Sequence, residues 1–143
     1  NFFSLQNNAS IRSLNEGKNY ELNSNQINFD SNKNTIFSNS NSTLNTETIY
    51  MESKNFLLER LEGNLTKITL TDSEILKIDS SGVKNLLGYS KKVQFLPKQE
   101  LLIMEGSAKL FQDGITISAD EIHYDIQQGK ILSSKSSRLS KEI

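Results

Sequence analysis

The one histidine of the chain, His123, lies in a short acidic stretch, ISADEIHYD, at residues 117–125. Asp120, Glu121 and Asp125 are its acidic neighbours, and these residue types serve in acid–base catalysis and in metal binding. The chain has no cysteine and no second histidine, and carboxylates alone suit zinc poorly. No nucleophile stands beside them with a base to orient it. We therefore predict no catalytic residue, no metal site and no cofactor.

The same layout of residue types occurs a second time, in LNSNQINFD at residues 22–30. Both stretches read apolar, three small or polar residues, polar, isoleucine, polar, aromatic and aspartate, and they lie 95 positions apart. Asn28 holds the place of His123 in the earlier copy, so the shared layout does not need an imidazole. His123 alternates with apolar neighbours and is predicted to face outward. Asp30 and Asp125 are predicted to accept hydrogen bonds from turn amides.

The repeat extends beyond these two stretches. The same offset pairs Ile36 with Ile131 and Leu44 with Leu139, without a gap. The stretches IYMESKNFLL and VQFLPKQELL are looser copies of one strand–turn–strand unit, which gives about four related units. The histidine stretch is therefore interpreted as part of a structural repeat.

Apolar and polar residues alternate in short runs along the chain, and no sustained helical stripe is present. This pattern predicts an all-β fold of many short antiparallel strands, in a single domain at 20–143 with a segment at 1–19 that can be loose. The predicted strands are 20–29, 35–38, 42–51, 56–61, 64–71, 74–79, 83–89, 92–96, 100–105, 107–112, 115–118, 121–126, 130–133 and 136–140. The predicted turns are 31–34, 80–82, 96–99, 113–114 and 127–129.

Composition excludes several classes of protein. The formal net charge of −1 gives no basic field for nucleic acid, so no nucleic-acid partner is predicted. Without cysteine there is no disulfide. No apolar run reaches the roughly 18 residues that a membrane-spanning helix needs.

The stretch LLIMEGSAKLFQDGITISADEIHYDIQQGKILS, residues 101–133, resembles the OstA-like family of lipopolysaccharide transport proteins. The residues that carry the resemblance are the pairs Glu105-Gly106, Asp113-Gly114, Ala119-Asp120 and Tyr124-Asp125, followed by Gly129. Each motif is short, and it is their order and spacing that point to the family.

The resemblance implies a slightly open, twisted β-jellyroll, called a β-taco, whose two sheets hold the acyl chains of lipid A. It implies a periplasmic location, with the leader peptide removed or trimmed away. It also implies that the partners are lipopolysaccharide itself and the lipopolysaccharide transport proteins of the inner and outer membranes. It also implies an end-to-end homo-oligomer through edge strands. The LptA-like bridge protein is the first assignment. An LptC-like inner-membrane partner with its anchor trimmed is the second assignment. An uncleaved N-terminal helix encoded in the full-length gene would decide for it. The N-terminal domain of the outer-membrane translocon is the third assignment.

The apolar positions with a period of two are expected to share an interior face, and the resemblance makes them candidates for lipid binding. These candidates are Ile27, Phe29, Ile49, Met51, Ile68, Leu70, Val93, Phe95, Leu110, Ile115, Ile117, Ile122 and Tyr124. An ordinary filled core is the competing interpretation of the same face, and it would make the chain a structural β-domain.

Two further alternatives concern the polar residues. The last stretch, SSKSSRLSKEI, is either a solvated edge protected by charge or an edge that pairs with another chain. A carbohydrate-active domain would require two of Asp120, Glu121 and Asp125 to converge in an aromatic-lined cleft. The alternating apolar strands favour the non-enzymatic lipid carrier.

Overall fold

The computed structural model describes residues 2–15, 18–78 and 84–141, and every regular element in these ranges is a β-strand. The described part of the chain has no helix with the length and hydropathy of a membrane span. The strands are β1 Phe2–Asn15, β2 Lys18–Asp30, β3 Thr35–Ser38, β4 Ser42–Asn45, β5 Tyr50–Ser53, β6 Asn55–Leu61, β7 Asn64–Ile78, β8 Lys84–Leu96, β9 Leu101–Gln112, β10 Ile115–Asp125, β11 Lys130–Lys135 and β12 Arg138–Lys141.

All described strands join one antiparallel sheet, and the long strands change partners at their midpoints. Residues 21–24 of β2 pair with β4, whereas residues 28–30 pair with β3. In the same way β7 divides between β6 and β5, and β10 divides between β11 and β12. The sheet therefore has two leaves, which the long strands connect.

Leaf A contains β4, β5, β12 and the halves of the long strands that pair with them, and leaf B contains β3, β6, β11 and the other halves. The leaves face each other across a shared apolar core. Tyr20 of leaf A and Phe95 of leaf B show this directly, since their ring centroids are 5.5 Å apart in an edge-on contact. Buried aliphatic side chains from both leaves supply the rest of the hydrophobic stabilisation.

A row of small buried residues marks the line where the sheet doubles back on itself. The register pairs Ala9 with Ser24, Ser24 with Ser42, Ser42 with Ser53, Ser73 with Ser90, and Ala108 with Ala119. Continuing the same registers joins Ser53 to Ser73 and Ser90 to Ala108, so the row crosses the sheet. We call this row of eight residues the seam. All of its members are buried, and their small volume lets the two leaves approach each other.

At the seam four of the long strands, β2, β7, β8 and β10, change which alternate residues face inward. In β8 the inward positions run to Ser90 and resume three residues later at Val93, and in β10 they run to Ala119 and resume at Ile122. Side chains alternate along a strand, so this odd step keeps both halves apolar toward the core. Register shifts between Tyr89 and Lys92 and between Ala119 and Glu121 mark the same places.

The backbone turns sharply at the seam, and in β9 this turn requires residues with left-handed φ angles. Gly106 has φ of +80° and Ser107 has φ of 50°, and both lie in the left-handed region. A Cβ on Gly106 would meet the Cβ of Lys91 on the neighbouring strand at 3.0 Å. Only glycine therefore fits this corner without displacing β8.

The internal repeat is a structural unit of three strands. The unit β2–β3–β4 has the pairing of the unit β10–β11–β12, and Ser42 and Ser137 are the matching positions at the 95-residue offset. Asp30 accepts hydrogen bonds from the amides of Asn32 and Lys33 at 3.1 and 3.3 Å, and Asp125 accepts one from Gln128 at 2.8 Å. The predicted role of both aspartates as turn acceptors is confirmed.

The predicted strand positions are confirmed over most of the described chain, but several boundaries are wrong. The predicted breaks at 72–73, 90–91, 106 and 119–120 are seam crossings inside β7, β8, β9 and β10. The predicted strand 42–51 is instead two strands, because Thr46 accepts bonds from the amides of Thr48 and Ile49 and forms a turn. The segment 1–19, which the sequence allowed to be loose, contains β1. The predicted turn at 80–82 lies outside the described residues.

The seam allows a matched test of a buried hydroxyl. Ser73 Oγ is buried and has no hydrogen-bond partner among the described residues, whereas Ser90 Oγ donates to the carbonyl of Lys92 at 2.7 Å. Ser73→Ala is expected to raise the free energy of unfolding by about 1 kcal/mol, and Ser90→Ala to lower it by about 1 kcal/mol. Urea unfolding followed by circular dichroism measures both. Equal effects of the same sign would contradict this account of the seam.

Candidate functional site

The candidate lipid-binding residues face the space between the leaves. Ten of the thirteen are fully buried in the common core, and they come from both leaves. Leaf A supplies Ile49, Met51 and Leu110, while Ile27, Ile68, Leu70, Val93, Phe95, Ile122 and Tyr124 come from leaf B. The expectation of one interior apolar face is confirmed, with the difference that the face is divided between two leaves.

Three candidates lie at the margin of this interior. Phe29 and Ile117 are partly buried and pack against the core. Ile115 is 38% exposed, since it stands near the end of leaf A where the hairpin to β9 begins. These three residues lie between the fully buried core and the solvent-exposed surface.

Sequence patterning missed several large core residues. Tyr20, Phe56, Leu86, Leu102 and Met104 are buried in the same cluster. The change of inward positions at the seam hides Tyr20, Phe56 and Leu86, because a single period of two does not describe both sides of the crossing. Leu102 and Met104 lie in β9, whose inward positions keep one alternation. A small residue followed three positions later by an apolar one, as at Ser53 and Phe56, is the signal that locates Phe56.

We call the space between the leaves the cleft, and its mouth lies on the side opposite the seam. Side chains of both leaves meet at this mouth and close it. Lys18 of leaf A forms an ion pair with Glu100, which ends the turn between β8 and β9. Gln112 of leaf A donates to the Tyr124 hydroxyl at 3.4 Å and to the carbonyl of Gly129 at 3.2 Å. Burial raises the pKa of the Tyr124 phenol above its ordinary value, so this group stays neutral at the closed mouth.

Two of the acidic residues around His123, Glu121 and Asp125, make local contacts. His123 Nε2 lies 2.8 Å from Glu121 Oε2, on the opposite face of β10 from buried Ile122 and Tyr124, as its alternation predicted. The hydrogen bond from His123 lowers the pKa of Glu121, and the charge of nearby Lys135 acts in the same direction. Asp125 is engaged in its turn. Among the described residues no group of carboxylates and histidine can hold a metal ion.

A second concave surface lies on the outside of leaf A, and the sequence analysis did not predict it. A cross-strand row of Tyr50, Leu76, Leu87, Phe111 and Thr116 lines a groove of about 550 Å³. Leu87 is 42% exposed there. This groove is separate from the interior, because its residues alternate with those that face the core.

The two ends of the sheet carry strands with one edge open in the described structure. β1 pairs with β2, and β11 and β12 pair with β10. The repeat shows what covers the equivalent place inside the sheet. Leu44 of β4 is fully buried beside Met51 of β5, whereas Leu139, its counterpart in β12, is 73% exposed. Among the described strands, none pairs with β12 in the way that β5 pairs with β4.

Comparisons with known proteins agree with this architecture. The solved structure of LptH, the LptA homologous periplasmic component of the lipopolysaccharide transport device from Pseudomonas aeruginosa, superimposes with a TM-score of 0.70 over 100% of this chain and 96% of that one. The two sequences are 11% identical, so this likeness concerns the fold. No curated protein matches the sequence. The family model described as LptA/(LptD N-terminal domain) LPS transport protein matches residues 18–130. Because that match spans most of the chain, the protein belongs to the LptA and LptD N-terminal domain family of lipopolysaccharide transport proteins.

Proposed function

We propose that this protein is a periplasmic carrier that holds the acyl chains of lipid A between leaf A and leaf B. The observation that carries the proposal is the construction of the cleft. Its walls are apolar side chains of two leaves that strands connect at the seam, while side-chain contacts close the mouth. Leaves connected in this way can separate at the mouth without breaking the pairing within either leaf. LptH, which has the same fold, is described as a periplasmic transport component, and this supports the location.

The energetics suit a carrier that must also release its cargo. Burying one methylene is worth about 0.8 kcal/mol, so an acyl chain of a dozen carbons gains roughly 10 kcal/mol. Removing the same chain from a membrane costs a comparable amount, and separating the leaves exposes core surface. The net preference is therefore small, and lipid passes between carriers that present similar interiors.

No chemical step is assigned to this chain. Of the carboxylates that a glycosidase-like mechanism would need, Glu121 is engaged with His123 and Lys135, and Asp125 with a turn amide. A structural β-domain is the alternative that one observation favours, since Ile27, Met51 and Ile68 are fully buried by the protein's own side chains. An LptC-like role shares the lipid-binding cleft and differs in its membrane anchor.

Photo-crosslinking tests the location of the lipid. A photoreactive phenylalanine at Ile117 is expected to crosslink lipopolysaccharide, because Ile117 lies at the margin of the interior. The same group at Leu87, on the outer face of leaf A, is the matched control and is expected to remain free of lipid. Native mass spectrometry of the unmodified protein should show retention of lipopolysaccharide and no retention of its isolated sugar. A protein that retains neither, with no crosslink at Ile117, is the filled-core domain.

We further propose that the bridge forms by pairing of the open C-terminal edge with the N-terminal strand of another copy. In the part of the chain that the structure describes, β11 and β12 have no neighbours of the kind that β6 and β5 provide to β3 and β4. The long strand β1 has one open edge there as well. Pairing would cover Leu139 and continue both leaves into the next molecule. Members of the transport machinery with the same fold would bind in the same way.

This assembly is tested with a residue that is exposed in the single molecule. Leu139→Asp is expected to weaken self-association at least about tenfold, because a carboxylate would be buried in the new pair. Leu61→Asp is the control, since Leu61 is 66% exposed at the turn between β6 and β7. Sedimentation velocity over a range of concentrations measures both. If the Leu139 variant assembles like the control, the C-terminal edge is not the interface.

A further inference from the structure

A cavity of about 240 Å³ opens at the mouth of the cleft, and we call it the mouth pocket. Its inner wall is apolar and comes from both leaves, with Tyr20, Phe95 and Ile126, each of which is buried. Its rim is polar and includes Lys18 and Glu100. An apolar interior beneath a charged rim matches the chemistry of an amphiphile with a charged head.

The wall of the mouth pocket is also the barrier to the core. Tyr20 and Phe95 meet edge-on across the cleft, and behind them lie fully buried aliphatic side chains. An alkyl chain that starts in the mouth pocket therefore continues into the core once these two rings separate. The position of the rings on opposite leaves couples this movement to separation of the leaves at the mouth.

The ion pair between Lys18 and Glu100 holds the leaves together at this point, and its two partners differ in mobility. The backbone of Glu100 is fixed, since its amide donates to the Pro97 carbonyl at 3.2 Å and its carbonyl accepts from the Ile126 amide at 3.0 Å. The Lys18 side chain is long and 42% exposed. Lys18 is consequently the partner that can turn toward another anion.

The surroundings favour an anionic head group. Lys18 and Lys98 together line an adjoining cavity of about 130 Å³, so two lysine side chains border the same opening. Glu47 and Glu100 carry the opposite charge on the rim. Because the Lys18 side of this ion pair is open to solvent, whereas Glu100 is only 19% exposed, a phosphate reaches Lys18 from outside. A phosphate oxygen that offers Lys18 an equivalent charge-assisted bond can then replace Glu100.

We propose that the mouth pocket is the entrance for the lipid, and that the Lys18–Glu100 pair is a latch that a phosphate-bearing amphiphile opens. The phosphate binds Lys18, with Lys98 beside it, and the pair across the mouth is broken. The leaves then separate at Tyr20 and Phe95, and the alkyl chain passes into the core. This inference rests on the proposed carrier function and adds to it a phosphate-dependent uptake step.

The test compares two probes with the same acyl chains, namely bis-phosphorylated lipid A and its enzymatically dephosphorylated form. Uptake rates are followed by the change in tyrosine fluorescence after rapid mixing. The parent protein is expected to take up the phosphorylated lipid roughly threefold to fivefold faster, a factor typical of one exposed ion pair. Lys18→Gln is expected to abolish this difference. Glu100→Gln is expected to accelerate uptake of both lipids, because the latch is open in that variant.

The control is Glu59→Gln, which removes a surface pair with Lys67 that lies within leaf B and does not cross the mouth. It should behave like the parent protein. If the parent takes up both lipids at equal rates and the two latch variants match it, the latch is refuted while the carrier function stands. If the parent takes up neither lipid, both the carrier function and the latch are refuted.

Discussion

The structure depends on one steric constraint, the small volume available where a continuous sheet doubles back on itself. Eight serine and alanine positions meet this constraint, one in each strand or strand pair from β1 to β10. A large side chain at any of them would force the leaves apart at their root. With the root closed, the apolar residues of both leaves reach each other, and the core forms as a consequence.

The seam and the mouth hold the leaves together by different kinds of interaction. At the seam the covalent chain and the antiparallel ladders pass from one leaf to the other, so separation there requires the loss of backbone hydrogen bonds. At the mouth the contacts are an ion pair, a glutamine and two aromatic rings. The difference in strength gives the molecule a hinge on one side and an opening on the other.

The sequence predicted the strand content, the turn aspartates, the repeat and the family resemblance, and each is confirmed. These features depend on residues that are close in sequence, or on the repetition of such short patterns. They can therefore be predicted from the sequence alone. The strand boundaries at Asp72 and Gly106 were wrong because a seam crossing has the composition of a loop while it continues a ladder. The pairing of Lys18 with Glu100, and the outer groove at Leu87, arise from strands distant in sequence, and no local pattern reveals them.

The last strand pair extends the seam by one more position. Continuing the register of β10 with β12 places Ser137 opposite Ala119, and Ser136 before it has φ of 55°, like the other corners. The C-terminal edge of the sheet thus has the same arrangement as the interior strands, namely a small residue at the seam beside a corner with positive φ. A polypeptide that adds to this end must carry a small residue in register with Ser137 and apolar residues at the inward positions on both sides of it. The spacing of its side chains, rather than any single contact, would decide whether a neighbouring chain is accepted.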